Sequence, residues 1–156
     1  LGKTSSDMAA LLATLNDEIA ETARNGMFVT MVAGVFDPAS GEIWFANAGH
    51  QPPLYRATDG SYREIEAECP PLGVVAGIDF VQQRLTLAGG RLFVFTDGVT
   101  EGKAGAGMLG VAGLKTLLDR HAASGAEAQL AAVSEALLGS AGGQRLHDDL
   151  TMLAIG

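Results

Sequence analysis

The chain has 156 residues, 47% of them hydrophobic and 18% charged, and a formal net charge of −8. That length suits one domain with a real core, and the composition argues against disorder. The acid excess argues against nucleic acid as a partner. No apolar run nears the roughly 20 residues of a membrane helix, and no secretory signal opens the chain. Cys69 is the only cysteine, so no internal disulfide can form. It has no His–Asp arrangement beside it in AECPPLG, which argues against a catalytic thiol and fits a cytoplasmic location.

Residues 4–24, TSSDMAALLATLNDEIAETAR, read as a helix. Ser5 or Ser6 can cap it, Asp7 suits the positive end of the dipole, and Asn25-Gly26 stops it. Met8, Leu11, Leu12, Leu15 and Ile19 fall on one face. MFVTMVAGVF (27–36) is apolar at nearly every position, like a strand covered on both faces. DPASG (37–41) is a turn, and EIWFANA (42–48) returns as the hairpin partner, with at least one of Trp44 and Phe45 in the core. PLYRA (53–57), TDGS (58–61) and YREIE (62–66) make a second hairpin. FVQQRLTL (80–87) and RLFVF (91–95), joined by Ala88-Gly89-Gly90, predict a third.

GKAGAGML (102–109) is weakly patterned, as either a flap or a plain linker would be. Residues 109–122 and 126–139 are helical by apolar spacing and alanine content. AGGQRLHDD (141–149) reads as a loop, and LTMLAI (150–155) as a last strand. The pattern predicts one α+β layered domain over residues 1–156, with antiparallel strands between leading and trailing helices.

The strand at 91–95 stops on Thr96-Asp97-Gly98. A turn uses Asp-Gly for its own reasons, and a metal site uses a stiff strand end to aim an oxygen. The last strand mirrors it, with Asp148 and Asp149 just before its start. If the two strands pair antiparallel, those ends coincide, because neighbouring strands lie about 4.8 Å apart. Carboxylates brought together there need a proton or a cation between them. Oxygen donors without cysteine favour Mg²⁺ or Mn²⁺. The alternative is that Asp148 and Asp149 simply cap a loop.

The stretches MFVTMVAGVFDPASGEIWFANAGHQPPL, PPLGV, LFVFTDGVTEG and HDDLTML, in that order, resemble the SpoIIE/RsbU-type branch of the PP2C (PPM) serine/threonine phosphatases. The resemblance implies a PP2C-like α-β-β-α sandwich of antiparallel sheets flanked by helices, with two Mg²⁺ or Mn²⁺ ions at one end. It implies that Asp97 and Asp148 are metal ligands and the catalytic residues, with Asp149 orienting them. Gly98, Glu101 and His50 surround that site, although Glu101 reads equally as a loop cap and His50 as a structural turn residue held by Asn47. The implied reaction is attack of a metal-activated water on phosphoserine or phosphothreonine.

The implied partners are a phosphorylated protein, such as a STAS-type anti-anti-sigma factor, and an upstream sensor or receiver domain. The family's early Gly-Asp and Ser-Gly-His-Gly or Ser-Gly-Lys-Gly stretches do not occur in these residues. The expectation is therefore an N-terminally truncated phosphatase domain, lacking the first strands and helix and poorly active alone. The alternative is a catalytically impaired module of the same fold that binds and sequesters a partner.

Overall fold

A computed structural model describes residues 7–22, 26–140 and 149–156. Ser5, Ser6, Asn25, His147 and Asp148 lie outside them, and with them the expected caps at Ser5 or Ser6 and the stop at Asn25. In chain order the elements are α1 (Met8–Thr22), β1 (Met31–Asp37), β2 (Glu42–Ala48), β3 (Leu54–Arg56), β4 (Tyr62–Glu64), β5 (Gln83–Thr86) and β6 (Arg91–Phe95). They continue with α2 (Asp97–Glu101), β7 (Lys103–Ala104), β8 (Gly107–Met108), α3 (Gly110–Arg120), α4 (Gly125–Ser140) and β9 (Met152–Ile155). Two compact units result, Leu1–Pro52 with Ile65–Gly89, and Pro53–Glu64 with Gly90–Gly156. Each sets helix against antiparallel sheet, so the α+β expectation holds. Among the described residues no helix is long and apolar enough to cross a membrane.

In the first unit α1 starts at a working cap. Asp7 Oδ1 accepts the Ala10 amide at 3.0 Å, and the Asp7 carbonyl accepts that of Leu11 at 3.0 Å. Met8 and Leu12 bury against Ala46, Ala48 and Leu72, with Leu15 and Ile19 alongside. Leu11, placed on the buried face by its spacing, is instead 45% exposed. Asn16 is fully buried: its Oδ1 accepts the Gly73 amide at 2.9 Å and its Nδ2 donates to the Val75 carbonyl at 2.9 Å. The helix thus turns a polar residue inward to satisfy the backbone of a loop that packs on it.

The sheet of this unit has the order β1-β2-β5. The turn at 37–41 forms as expected. Asp37 accepts the amides of Ala39 and Gly41 at 3.0 and 2.8 Å, and Gly41 takes a φ of 70°. Phe45 is core, while the Arg84 guanidinium lies over Trp44. The expectation for 27–36 needs correction. The strand begins at Met31, and Val29 makes only an isolated bridge to Leu72. Val35 and Phe36 stay exposed because β1 is the outer strand and β2 takes the middle place.

The second unit has the sheet order β4-β3-β6-β9, all antiparallel. Leu54, Phe93 and Phe95 bury against Val99, Leu114, Leu118, Val133 and Leu137 from the three helices. The third expected hairpin does not form: β5 pairs with β2, whereas β6 pairs with β3 and β9. Ala88 (φ 47°) and Gly89 (φ 80°) adopt left-handed backbone and carry the chain from one sheet to the other. β6 instead takes an interior place in its sheet, with β3 on one edge and β9 on the other. Residues 103–108 close into the small β7–β8 hairpin.

Candidate active site

β6 and β9 run antiparallel with Phe95 opposite Met152. The C-terminal end of one therefore lies beside the N-terminal approach to the other. Asp97 and Asp149 fall at this shared end, both exposed. The antiparallel pairing of the two acid-ended strands is present, and it puts these two residues at the same end of the sheet. Asp148 lies outside the described residues.

Asp97 does not sit in a plain turn. It opens the five-residue helix α2, which Val99 anchors in the core. Its Oδ1 accepts the Gly98 amide at 2.9 Å, and its carbonyl accepts the Thr100 hydroxyl at 3.2 Å. Gly98 is buried and its carbonyl accepts the Gly102 amide at 3.1 Å. Glu101 ends the helix and is exposed. Four residues after Asp97, it lies on the same helical face. Burial of Val99 thus holds a short helix with its two carboxylates toward solvent.

Thr96 joins the two strand ends. Its amide donates to the Thr151 carbonyl at 3.1 Å, its hydroxyl donates to the Asp149 carbonyl at 3.1 Å, and the Thr151 amide donates to that hydroxyl at 3.2 Å. Asp149 is thus tied to the end of β6 through its backbone carbonyl. Sequence reasoning singled out the acids and passed over this threonine, whose hydrogen bonds leave no pattern in the chain.

His50 belongs to the other unit. Asn47, only 2% exposed, accepts the His50 amide at 2.8 Å through Oδ1 and donates to its carbonyl at 3.2 Å through Nδ2. His50 Nδ1 lies 3.2 Å from the Thr30 hydroxyl. Asn47 fixes the turn at both ends of its own amide group.

Among the described residues no group of three or more His, Cys, Asp or Glu side chains gathers as a cation cage. The chemistry of the exposed donors still fits a hard divalent ion: they are carboxylate oxygens, those of Asp97 and Glu101 carried on a helix that Val99 packs into the core.

The model of the family described as Stage II sporulation protein E (SpoIIE) matches residues 1–156. Phosphoserine phosphatase RsbU of Bacillus subtilis (strain 168) is 29% identical over 157 residues, covering 99% of this chain and 47% of RsbU. The chain thus spans about half the length of that relative. A crystal structure of the RsbU and RsbW domains of Rv1364c from Mycobacterium tuberculosis superposes with a TM-score of 0.65 at 28% identity, over 97% of this chain and 42% of that one. The phosphatase domain of SpoIIE from Bacillus subtilis, Mn presoaked, superposes with a TM-score of 0.65 at 17% identity, over 98% of this chain and 66% of that one.

Proposed function

The chain belongs to the SpoIIE family, and from that premise we propose that it is a metal-dependent protein serine/threonine phosphatase. The observation that carries the reading is the antiparallel pairing of β6 with β9, which brings Asp97 and Asp149 to one end of one sheet. The name of the relative RsbU, a phosphoserine phosphatase, supports the same chemistry. The Mn-presoaked SpoIIE crystal supports a divalent ion as its cofactor.

In this reading Asp97 and Asp148 hold Mg²⁺ or Mn²⁺, and Asp149 orients Asp148. The ions, when bound, supply Lewis acidity toward water and the phosphoryl oxygens. The chain's own part is to hold Asp97 on a short helix that Val99 anchors in the core, at the same sheet end as Asp149. Gly98, buried next to Asp97, donates its amide to the Asp97 carboxylate, and Glu101 adds a second negative charge on the same helical face. His50 belongs to a turn of the other unit that Asn47 fixes through its backbone. The reaction consumes one water and one phosphoserine or phosphothreonine ester, breaks the P–O bond, and releases the hydroxyl side chain and inorganic phosphate. No residue need become phosphorylated. The substrate is a phosphorylated partner protein, by family resemblance a STAS-type regulator, and the phosphatase is the output of an upstream sensor or receiver domain.

The test is phosphate release from a phosphoserine peptide by the full-length protein, with Mn²⁺ or Mg²⁺ and then with excess chelator. Turnover that requires the ion is expected. Hydrolysis undiminished by chelation, or none with either ion, contradicts the reading.

A further inference from the structure

Threonine is among the favoured residues for capping a helix N-terminus, because its hydroxyl can accept an amide of the first turn. Thr96 occupies that position before α2 with extended backbone (φ −85°, ψ 161°), yet its side chain makes no capping bond. The hydroxyl turns instead to the neighbouring chain, donating to the Asp149 carbonyl and accepting the Thr151 amide. Together with its own amide, which donates to the Thr151 carbonyl, Thr96 makes three hydrogen bonds across the gap between the two acid-bearing ends. The regular ladder gives out here, since the last paired residues are Phe95 and Met152. Beyond that point one backbone bond and the two bonds of the Thr96 hydroxyl continue the pairing.

We propose that Thr96 is a positioning residue whose hydroxyl clasps the start of β9 to the end of β6 and so sets the spacing of Asp97 relative to Asp149. The inference deepens the phosphatase reading and rests on it. A divalent ion demands narrow ligand distances, and Mg²⁺ in particular tolerates little departure from its geometry. Carboxylates on two separate strand ends meet that demand only if the ends cannot slide. The core does not provide this constraint by itself: Thr96 is only partly buried and Asp149 is exposed. With the clasp opened, the Asp149 carbonyl and the Thr151 amide lose their bonds to β6, only the Thr96 amide still reaches the Thr151 carbonyl, and the acids sample wider separations.

Thr96→Val keeps the branched shape and removes both hydroxyl bonds, whereas Thr96→Ser keeps the hydroxyl. The readout is the dissociation constant for Mn²⁺, from calorimetry or the spin-resonance signal of the free ion, on the full-length protein well below its melting temperature. Thr96→Val is expected to weaken Mn²⁺ about tenfold, the equivalent of one or two hydrogen bonds, and Thr96→Ser to stay within about twofold of wild type. Equal affinity for Thr96→Val and wild type overturns the clasp while leaving the phosphatase reading intact. Equal weakening in both variants also overturns it, since the hydroxyl is then not the operative group. A wild-type protein that does not bind Mn²⁺ at all contradicts the phosphatase reading and takes the inference with it.

Discussion

Asp97→Asn separates the two tasks assigned to that side chain. The amide oxygen of asparagine can still accept the Gly98 amide, which Asp97 Oδ1 accepts at 2.9 Å. Folding stability should therefore change by no more than about 0.5 kcal/mol, as for an exposed substitution that keeps its bond. The lost quantity is one negative charge facing a divalent cation. At a separation of about 4 Å that attraction is about 2 kcal/mol even in the dielectric of water, and larger where water is partly excluded. An affinity loss of at least about thirtyfold follows. The assay pairs Mn²⁺ titration with phosphate release from a phosphoserine peptide, and a thermal melt serves as the control. A variant that melts like wild type, binds Mn²⁺ as tightly and turns over as fast would refute the role given to Asp97.

Three further predictions concern what holds each unit together internally. Asn16→Ala removes three hydrogen bonds from a fully buried side chain, among them those to the Gly73 amide and the Val75 carbonyl. The expected loss is about 2–3 kcal/mol, read as a fall of about 5–10 °C in Tm; a shift under about 2 °C would contradict it. In the other unit, burial and then the hydrogen bond to Asp119 push the Tyr62 hydroxyl up to about 12. Because that lies above the unfolded value of about 10, the contribution is complete below pH 10 and drains away as pH rises toward 12. The stability difference between wild type and Tyr62→Phe should shrink over that window in denaturant titrations, and a difference that stays constant would refute the assignment. Asp119, held below the usual carboxylate range chiefly by the hydrogen bond from Arg56, acts on the opposite limb. Its contribution is present above about pH 3.9 and is lost as pH falls through its folded value. Asp119→Asn should therefore lower stability at neutral pH more than at acid pH in the same titrations, and an equal loss at both would contradict this.

Local patterns were legible wherever one physical demand dominated. The amphipathic stripe gave α1, and DPASG gave the β1–β2 turn, because helix period and turn chemistry act over a few residues. The pairing of β6 with β9 was legible because two apolar strands ended in acids at matching ends. Choices between distant partners were not. Gln83–Thr86 and Arg91–Phe95 looked like a hairpin by spacing, yet each pairs in a different sheet. The run 27–36 looked interior by hydrophobicity, but position in the sheet, and not composition, decided that β1 is the outer strand. Asn16 and Thr96 escaped notice for a related reason: each satisfies backbone atoms far along the chain, and such bonds leave no local period. At the candidate site the residue types pointed to a hard cation, while the geometry that would hold one depended on tertiary hydrogen bonds.

Anomalous diffraction from crystals of the full-length protein soaked in Mn²⁺ bears most directly on the proposal that acids from these two strand ends share a divalent ion. The account predicts a peak within ligand distance of the Asp97 carboxylate and of the acid pair preceding β9. A Mn²⁺ peak that touches neither, in crystals of protein that turns over phosphoserine, would contradict it.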